Sequence, residues 1–457
     1  MSIDKGDISL KGLTSGDKLS VLYETVKRVA LTSLGCKVNQ YETECIRTQF
    51  ILPEYLLVPF EEEADIYIIN TCTVTQRADH KSRQLIRSSI KRNPRALIVV
   101  TGCYAERRPD EVAGVEGVDL VLGNKEKVKI REEVECFLSG GGPYVEVAGV
   151  SGINGYDSIS LGEGVPWQTR AFVKIQDGCN QSCAYCVVPF VRGRSRSRTS
   201  EDVFREVERL TEKGFKEVVL CGINLGSYGQ DSGGGNLAEL IKRIERIEDL
   251  KRLRLSSLEP DKIDDELAQT ISNLSKVCPH LHIPLQSGDD EILSKMNRRY
   301  NFNDYRNLVT RFREAIPGIA ITTDVLVGFP GEDEESFSRT YTFIEEIGFS
   351  DLHIFKYSRR QETPAARLKE TVTEGIKEER GKVLAGLKKR LSLDFRRRFL
   401  NQEVELLIED KKRDGYTVGL TPHYIRVFLT DSQVSVNQIV KARIDRVAPD
   451  LTLGSIA

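Results

Sequence analysis

Six of the ten cysteines in this chain fall into two sets whose positions suit metal chemistry. Cys179, Cys183 and Cys186 form a C-x3-C-x2-C loop, so three thiols lie close together along the chain. A cubane iron–sulfur cluster needs four ligands, and such a loop supplies three, which leaves one iron open to a substrate or cofactor. A structural zinc site is the alternative, but it needs four ligands and no fourth Cys or His is near the loop in sequence. The loop therefore predicts a [4Fe-4S] cluster with one open iron.

The second set consists of Cys36, Cys72 and Cys103, which directly follow predicted strands in the segments SLGC, NTC and TGC. The carboxyl ends of parallel strands lie on one edge of a sheet, so these cysteines can converge there although they are 36 and 31 residues apart. The alternative is three small buried hydrophobic side chains. The remaining cysteines sit in helical or strand patterns and are expected to pack in the core: Cys45, Cys136, Cys221 and Cys278.

The composition limits the classes of protein to which the chain can belong. Its 457 residues are enough for two to four domains, and 40% hydrophobic with 29% charged residues is typical of globular proteins. The net charge is -2, so only local clusters of basic residues can indicate nucleic-acid binding. No stretch has the roughly 18 apolar residues of a membrane span, and no secretory signal is recognisable. We therefore expect a cytoplasmic protein without a membrane partner, in which clustered cysteines bind metals rather than form disulfides.

The order of hydrophobic segments predicts an α/β multidomain protein with three parts. Residues 27–140 are expected to form a parallel sheet with helices on both faces. A glycine-rich linker within residues 139–164 precedes six strand and helix units in residues 165–394. These predict a partial (βα)6 barrel with its active site at the carboxyl ends of the strands. Five short strand-like runs in residues 397–457 predict a small β-barrel of the oligonucleotide-binding (OB) type.

The C-x3-C-x2-C loop also carries an aromatic residue, Tyr185, before its last cysteine, and it follows the first strand of the six-unit series. In these features it resembles the radical S-adenosylmethionine (SAM) superfamily. The resemblance implies that the open iron binds SAM and that one electron from the cluster cleaves SAM to a 5′-deoxyadenosyl radical. Such a radical serves reactions such as replacement of an unactivated C–H bond, for which acids, bases and nucleophiles do not suffice.

The segments SLGCKVNQYETE, IINTCTVTQRADHKSRQ and IVVTGCYAE resemble those around three N-terminal cysteines of the methylthiotransferases in that superfamily. The resemblance extends from about residue 27 to residue 457. It implies an auxiliary [4Fe-4S] cluster on Cys36, Cys72 and Cys103 and a C-terminal TRAM domain that binds RNA. The implied protein is a tRNA methylthiotransferase with two [4Fe-4S] clusters and SAM as cofactors. Its implied partners are tRNA, an electron donor and a sulfur source.

Polar residues after the strands of the barrel are the candidates for binding SAM, because the family binds its cofactor with groups at the carboxyl ends of these strands. Polar side chains at strand ends also serve as helix caps, so both roles stay open. His280 and His282 are expected to be hydrogen-bonded sheet residues rather than ligands. The cofactor-binding candidates are Tyr185, Gly222, Asn224, Ser257, Glu259, Gln286 and Asp324.

Two basic segments indicate an RNA-binding surface. The segment RGRSRSR places arginines at alternate positions, which gives one charged edge if the segment is extended, although a solvated loop is the alternative. Residues 381–399 contain seven basic residues and one acidic residue. Together these segments predict contacts with RNA phosphates. The RNA-binding candidates are Arg192, Arg194, Arg196, Arg198, Lys388, Lys389, Arg390, Arg396, Arg397 and Arg398.

The segments SLGCKVNQYETE and YSRRQETPAA, with Val74 and Thr75 after Cys72, look most like family members that act on N6-threonylcarbamoyladenosine at tRNA position 37. The resemblance implies methylthiolation of C2 of this base. The threonylcarbamoyl group carries a carboxylate, so we expect a cation in the pocket, and Arg359 or Arg360 is the candidate, with a surface ion pair as the alternative. Three other functions stay open: methylthiolation of isopentenyladenosine tRNA, methylthiolation of a ribosomal protein aspartate, and non-catalytic RNA binding with structural metal.

Overall fold

The computed structural model describes residues 26–153, 155–156, 159, 161–162, 169–231, 233, 235–413, 415–430 and 434–457. These residues form an N-terminal parallel sheet, a central partial barrel and a C-terminal closed β-barrel, which confirms the predicted α/β multidomain class. The boundaries 27–140, 165–394 and 397–457 stay predictions, and residue 165 lies outside the described residues. None of the helices in the described part of the chain combines the length and the hydropathy that a membrane span requires.

The N-terminal sheet contains six parallel strands. The strands are β1 (Lys27–Ser33), β2 (Tyr55–Val58), β3 (Ile66–Thr71), β4 (Leu97–Gly102), β5 (Leu120–Leu122) and β6 (Tyr144–Glu146). The helices are α1 (Lys37–Gln49), α2 (Gln76–Arg92), α3 (Cys103–Arg107), α4 (Pro109–Ala113) and α5 (Ile130–Leu138). The strand order is β2-β1-β3-β4-β5-β6. Every residue of β3 and β4 is buried, because parallel strands at the centre of such a sheet are covered on both faces.

This sheet differs from its prediction at both edges. Strand β2 was not predicted, and β6 comes from the segment that the glycines indicated as linker. A short edge strand needs only one neighbour, and β6 pairs with β5 alone. Helix α1 begins at Lys37, because Cys36 adopts the extended conformation of an N-cap. The last residues of the predicted linker, 163 and 164, lie outside the described residues.

The central part is the predicted partial barrel. Its strands are β7 (Ala171–Lys174), β8 (Gln176–Asp177), β9 (Arg196–Ser197), β10 (Glu217–Cys221), β11 (Arg252–Leu255), β12 (His280–His282), β13 (Ala320–Val327) and β14 (Asp351–Lys356). Its helices are α6 (Val188–Arg192), α7 (Ser200–Glu212), α8 (Leu237–Ile244), α9 (Asp265–Asn273), α10 (Asp290–Lys295), α11 (Phe302–Ala315) and α12 (Glu334–Ile347). Six strands form two parallel sheets, β7-β10-β11 and β12-β13-β14, joined by single bridges from Leu253 to Val277 and from Ser257 to His282.

The C-terminal part follows the long helix α13 (Glu374–Arg397). Its strands are β15 (Glu403–Arg413), β16 (Tyr416–Leu420), β17 (Arg426–Leu429), β18 (Ile439–Ala448) and β19 (Leu451–Ile456), and they close in the order β15-β16-β17-β19-β18. Arg252 and Arg254 donate to the carbonyl oxygens of Leu420 and Pro422, each at 2.9 Å. The closed barrel therefore rests on the amino end of β11, whereas the six clustered cysteines all follow carboxyl ends of strands.

Candidate active site

The three N-terminal cysteines lie at one edge of the parallel sheet. Strands β1, β3 and β4 are neighbours, and each is followed by one of the three. Cys36 caps α1, Cys72 follows β3 directly, and Cys103 is the first residue of α3. The topology thus gathers thiols that are far apart in sequence, and we refer to Cys36, Cys72 and Cys103 as the sheet triad.

Two glycines make room for the sheet triad. Gly35 has a φ of 97° and Gly102 a φ of 93°, and both values are unfavourable for residues with a side chain. A Cβ atom on Gly35 would lie 2.7 Å from Cys72 Sγ, and one on Gly102 would lie 2.5 Å from the carbonyl oxygen of Thr71. The Gly-Cys pairs at β1 and β4 are therefore needed for the close approach of these strand ends.

The environment of the sheet triad favours neutral thiols when no metal is present. Burial of the sulfur raises the pKa of the Cys36 thiol, although the residue as a whole is exposed. Burial also raises the pKa of Cys72 to about 12. Arg192 opposes both effects, and its Nε donates to Cys103 Sγ at 3.4 Å. A metal that binds here must displace protons from the thiols.

The other three cysteines lie on the loop between β8 and α6, and we refer to Cys179, Cys183 and Cys186 as the loop triad. The backbone N–H of Gln181 donates to Cys179 Sγ at 3.3 Å. Burial raises the pKa of all three thiols, that of Cys186 to about 12. The backbone N–H of Ala184 donates to the carbonyl oxygen of Met296 at 2.9 Å, which fixes the middle of the loop against the barrel.

Arg298 is a residue of this site that the sequence analysis missed. Its Nη1 donates to Cys183 Sγ at 3.2 Å, its Nη2 forms an ion pair with Glu259, and its guanidinium lies 5.0 Å from the ring centroid of Tyr300. The side chain is almost fully buried. The segment MNRRY indicates only that basic residues occur there, and the fold alone brings one of them to a cysteine.

The separation of the sulfur atoms tests whether each triad fits a cubane cluster or a single zinc ion. Thiolates around one zinc ion lie about 3.8 Å apart, since each Zn–S bond is about 2.3 Å long. Among the described residues, neither triad has all of its sulfur atoms within 4.8 Å of one another. A cubane holds its ligands farther apart than one ion does, so the donor set and its width fit a [4Fe-4S] cluster better than zinc.

A cavity of about 150 Å³ lies beside Cys186 at the carboxyl ends of the later barrel strands. Cys186 with its neighbours Tyr185, Val187 and Val188 lines one side, and Val74 and Thr75, which follow Cys72 closely, line another. The carboxyl ends of the later barrel strands complete the wall with Gln286, Asp324, Leu326, Phe355, Lys356, Tyr357 and Ser358. The cavity is thus bounded by the surroundings of both triads.

Three of the predicted cofactor-binding residues, Tyr185, Gln286 and Asp324, line this cavity. Gln286 does so with a φ of 66°, a left-handed conformation that is uncommon for a residue with a side chain. Tyr185 packs edge-on against Phe329, with their ring centroids 6.4 Å apart. These positions suit contacts with a cofactor, whose binding by these residues stays a prediction.

The other four candidates lie around the loop triad and below it. The Nδ2 of Asn224 lies 3.7 Å from Cys179 Sγ, and its Oδ1 is buried without a hydrogen-bond partner among the described residues. Glu259 pairs with Arg298, and burial raises the pKa of its carboxyl group. A Cβ on Gly222 would lie 2.9 Å from the Oε1 of Gln176. The backbone of Ser257 bridges to His282, so this residue serves the barrel wall.

The prediction of one exposed charged edge along RGRSRSR is wrong. Arg192, Arg196 and Arg198 are only 2%, 8% and 7% exposed, and Arg194 alone is exposed. The three buried guanidinium groups form ion pairs with carboxylates, Arg192 with Glu42 and Asp177, Arg196 with Asp177 and Arg198 with Glu206. These three arginines share one edge of the segment, and that edge faces the interior, where their guanidinium groups pair with buried carboxylates. They therefore cannot contact RNA in this structure.

The second basic segment is divided in a similar way. Arg396 donates to the carbonyl oxygens of Ala448 and Pro449 at 2.9 and 2.6 Å and so joins α13 to the C-terminal barrel. Lys388 donates to Leu352 O at 2.7 Å, and Arg390 pairs with Glu345. The RNA-binding candidates of this segment with exposed side chains are Lys389, Arg390, Arg397 and Arg398.

Neither arginine predicted for the substrate faces the cavity. Arg360 is 2% exposed and pairs with Asp79 at 2.6 Å, and Arg359 donates to the carbonyl oxygen of Ala366. The cation that lines the cavity is Lys356, the last residue of β14, and its Nζ lies 2.7 Å from Glu378 Oε2. A substrate contact by Arg359 or Arg360 thus has no support from the lining of this cavity.

The histidines of the barrel form a polar network below the cavity. His282 Nε2 and His353 Nδ1 each lie 3.1 Å from Asp324 Oδ1, and His282 Nδ1 lies 2.9 Å from Thr322 Oγ1. These three groups are close enough to hold one metal ion. Each of them already has a hydrogen-bond partner, in agreement with the prediction that His282 is a satisfied sheet residue.

Comparison with known proteins places both parts of the site in described families. A model described as the Radical SAM superfamily matches residues 173–344, and one described as uncharacterized protein family UPF0004 matches residues 28–123. The radical SAM methyltransferase TsrM from Kitasatospora setae has a similar fold, with a TM-score of 0.55 and 19% identity over 74% of this chain and 77% of that one.

Curated relatives match most of the chain. The threonylcarbamoyladenosine tRNA methylthiotransferase MtaB of Bacillus subtilis is 40% identical over 421 residues, which are 91% of this chain and 93% of the relative. The protein of the same name from Aquifex aeolicus is 40% identical over 88% of this chain and 96% of the relative. The tRNA-2-methylthio-N(6)-dimethylallyladenosine synthase of Acetivibrio thermocellus is 35% identical over 94% of this chain and 91% of the relative.

Proposed function

Because the chain belongs to the tRNA methylthiotransferase family, we propose that it replaces the C2 hydrogen of N6-threonylcarbamoyladenosine at tRNA position 37 with a methylthio group. The product is 2-methylthio-N6-threonylcarbamoyladenosine. The enzyme is a radical SAM transferase that uses SAM and two [4Fe-4S] clusters. We assign one cluster to each triad.

The observation that carries this proposal is the cavity beside Cys186. Cys186 belongs to its wall, and Val74 and Thr75 extend the segment of Cys72 to the same wall. A reaction that joins a carbon radical to sulfur needs both sources beside the same atom of the substrate. A non-catalytic RNA-binding protein with structural metal has no need for a cavity whose wall combines a loop-triad cysteine with the segment that follows Cys72.

When bound, the cluster on the loop triad with SAM supplies a 5′-deoxyadenosyl radical, and the cluster on the sheet triad supplies sulfur. The chain's own residues bind and orient the clusters and the cofactor. Asn224 and Gln181 donate to the loop-triad sulfur of Cys179, and Arg298 donates to that of Cys183. We propose that Gln286 and Asp324 orient the cofactor and that Leu326, Phe355 and Val188 exclude water from the cavity.

The charge of the cavity supports the threonylcarbamoyl substrate. This group carries a carboxylate, and Lys356 supplies a cation to a wall that is otherwise largely apolar. Lys356 is exposed and pairs with Glu378, and its ammonium group can donate to the carboxylate of threonylcarbamoyl, whereas isopentenyl is a hydrocarbon without an acceptor. We therefore assign the substrate contact to Lys356 instead of Arg359 or Arg360. The reaction also needs an electron donor and a sulfur source, which we propose as partners, and a tRNA substrate supports the expected cytoplasmic location.

The test uses reconstituted protein and three substrates: tRNA with threonylcarbamoyladenosine, tRNA with isopentenyladenosine, and a ribosomal protein that carries the target aspartate. Mass spectrometry of digested products should detect the methylthio group only on the first. Preferential modification of the isopentenyl tRNA or of the protein would reject the substrate and leave the enzyme class in place. The absence of both SAM cleavage and labile iron would reject the enzyme class as well.

A further inference from the structure

The guanidinium group of Arg192 connects the two triads. Arg192 is the last residue of α6, the helix that follows Cys186, and it reaches across the interface to the N-terminal sheet. Its Nε donates to Cys103 Sγ at 3.4 Å. Its Nη1 donates to Glu42 Oε1 at 2.7 Å and to Asp177 Oδ1 at 3.2 Å, and its Nη2 donates to Glu42 Oε2 at 3.0 Å. One side chain thus contacts the sheet triad, helix α1 and the strand before the loop triad.

The surroundings of Arg192 contain several buried charged groups. Two carboxylates, Glu42 and Asp177, are shared by four cations, and all six side chains are buried. The cations are Lys127, Lys174, Arg192 and Arg196, with ion-pair distances between 2.6 and 3.4 Å. Glu106 is a further buried carboxylate, and its charge acts on both Arg192 and Lys127, so carboxylates offset much of the buried positive charge.

The sulfur of Cys103 is a further neighbour of Arg192, and as a thiolate it adds a negative charge beside the guanidinium group. A cluster on three thiolates is an anion, and it gains a further negative charge when it is reduced. Hydrogen bonds to cluster sulfur and nearby positive charge both stabilise the reduced form, and burial strengthens both effects.

We propose that Arg192 is a positioning residue for the auxiliary cluster, which it fixes against the barrel through Cys103 and whose reduction potential it raises. This inference rests on the proposed function, because it needs a cluster on the sheet triad. It assigns to Arg192 a role in place of the RNA contact that its burial excludes. The same guanidinium group contacts Glu42 of α1 and Asp177 of β8, so it links the N-terminal part to the barrel.

The experiment observes the auxiliary cluster alone. Substituting Cys179, Cys183 and Cys186 with Ala removes the loop triad, and the protein is reconstituted with iron and sulfide without oxygen. A redox titration followed by electron paramagnetic resonance then gives the reduction potential of the remaining cluster in this parent. Three variants of the parent are compared: Arg192→Gln, Arg192→Lys and the matched control Arg194→Gln, whose arginine lies on the same segment but is exposed.

Arg192→Gln should shift the potential to a more negative value, because it removes the charge and the N–H···S bond. The carboxylates stay paired in this variant, Glu42 with Lys127 and Lys174, and Asp177 with Lys174 and Arg196. Arg192→Lys should give a smaller negative shift, since it keeps the charge and loses the bond to sulfur. Arg194→Gln should leave the potential unchanged.

An unchanged potential in Arg192→Gln, with full cluster content, would overturn the proposal. If Arg192→Gln fails to retain the cluster, Arg192→Lys decides: a negative shift supports the proposal, and an unchanged potential refutes it. If the parent without the loop triad holds no cluster, the assignment of the auxiliary cluster fails, and this inference fails with it.

Discussion

Arg360 Nη1 donates a hydrogen bond to Asp79 Oδ2 at 2.6 Å, and the two residues are only 2% and 6% exposed. The pair joins the loop after β14 to helix α2, which follows Cys72 closely in sequence. Arg107 reinforces this contact through Glu362 at 2.9 Å. These ion pairs hold the N-terminal sheet over the mouth of the barrel, so the cavity keeps its walls from both parts.

Substitution of Asp79 should destabilise the protein through Arg360. Asp79→Asn keeps the shape of the side chain but leaves the buried guanidinium group of Arg360 without a counter-charge. The Nε and Nη2 of Arg360 already lack hydrogen-bond partners among the described residues, so they offer no compensation. Removing one partner of a buried pair costs about 3 to 5 kcal/mol, which chemical denaturation can measure. Asp79→Asn with Arg360→Met should recover part of the loss. Glu62→Gln, in the exposed pair with Arg28, should cost under about 1 kcal/mol, and an equal cost for both single variants would contradict the interpretation.

The two triads should divide the reaction between them. Cys179→Ala should abolish SAM cleavage, because the loop cluster then loses one of its three protein ligands. Cys72→Ala should retain reductive cleavage of SAM to 5′-deoxyadenosine and lose the methylthiolated product. Chromatography of 5′-deoxyadenosine and mass spectrometry of tRNA measure both products in both variants. If Cys72→Ala stops cleavage as completely as Cys179→Ala does, the assignment of two independent clusters must be abandoned.

Lys356 should determine how well the enzyme binds the carboxylate of its substrate. Lys356→Met keeps the length of the side chain and removes its charge, so KM for threonylcarbamoyl-bearing tRNA should rise about ten-fold, equivalent to about 1.4 kcal/mol. SAM cleavage without tRNA should be unaffected. Lys369→Met, at an exposed position outside the cavity lining, is the control and should leave KM unchanged. A rise in KM that is equal for both variants would remove Lys356 from the substrate site.

The exposed basic residues of α13 and its end should bind RNA phosphates. The variant with Lys389→Gln, Arg397→Gln and Arg398→Gln should bind tRNA more weakly and depend less on salt. Each lost phosphate contact lowers the magnitude of the log–log salt slope by about 0.7 to 0.9. The control replaces Arg205, Lys242 and Arg311, which are exposed on the outside of the barrel, and removes the same charge. Equal slopes for both variants would show that α13 is not the RNA anchor.

Acid should destabilise the contact between the barrel and the C-terminal part. Burial lowers the pKa of His423 from 6.5 to about 4, and it also lowers the pKa of His280 well below its usual value. The unfolded chain therefore binds more protons than the folded one between pH 6.5 and 4, and stability falls as the pH falls through this range. His423→Gln should reduce this fall by about 2 to 3 kcal/mol, measured by denaturation at several pH values. An unchanged pH profile would contradict the assignment.

The sequence by itself determined the parts of the protein that depend on local pattern. Hydrophobic runs indicated the central strands of the parallel sheets, because strands that are covered on both faces need continuous apolar residues. Short strand-like runs at close spacing indicated the five strands of the closed barrel. Short spacing indicated the loop triad, since Cys179, Cys183 and Cys186 are close in any conformation. The sheet triad also followed from sequence, but only through the rule that parallel strands end on one edge.

The tertiary structure alone decided the direction in which each charged side chain points. The sequence predicted that Arg192, Arg196 and Arg198 form an RNA-binding edge. In the structure they are buried and pair with Glu42, Asp177 and Glu206, which lie in other elements. No local sequence pattern indicated that Arg298 and Lys356 lie at the site. Arg360, which was predicted to lie there, pairs with Asp79 instead. The sequence around an arginine does not show whether its side chain is exposed to water or buried in an ion pair. The carboxylate that neutralises it is brought close only when distant segments pack together.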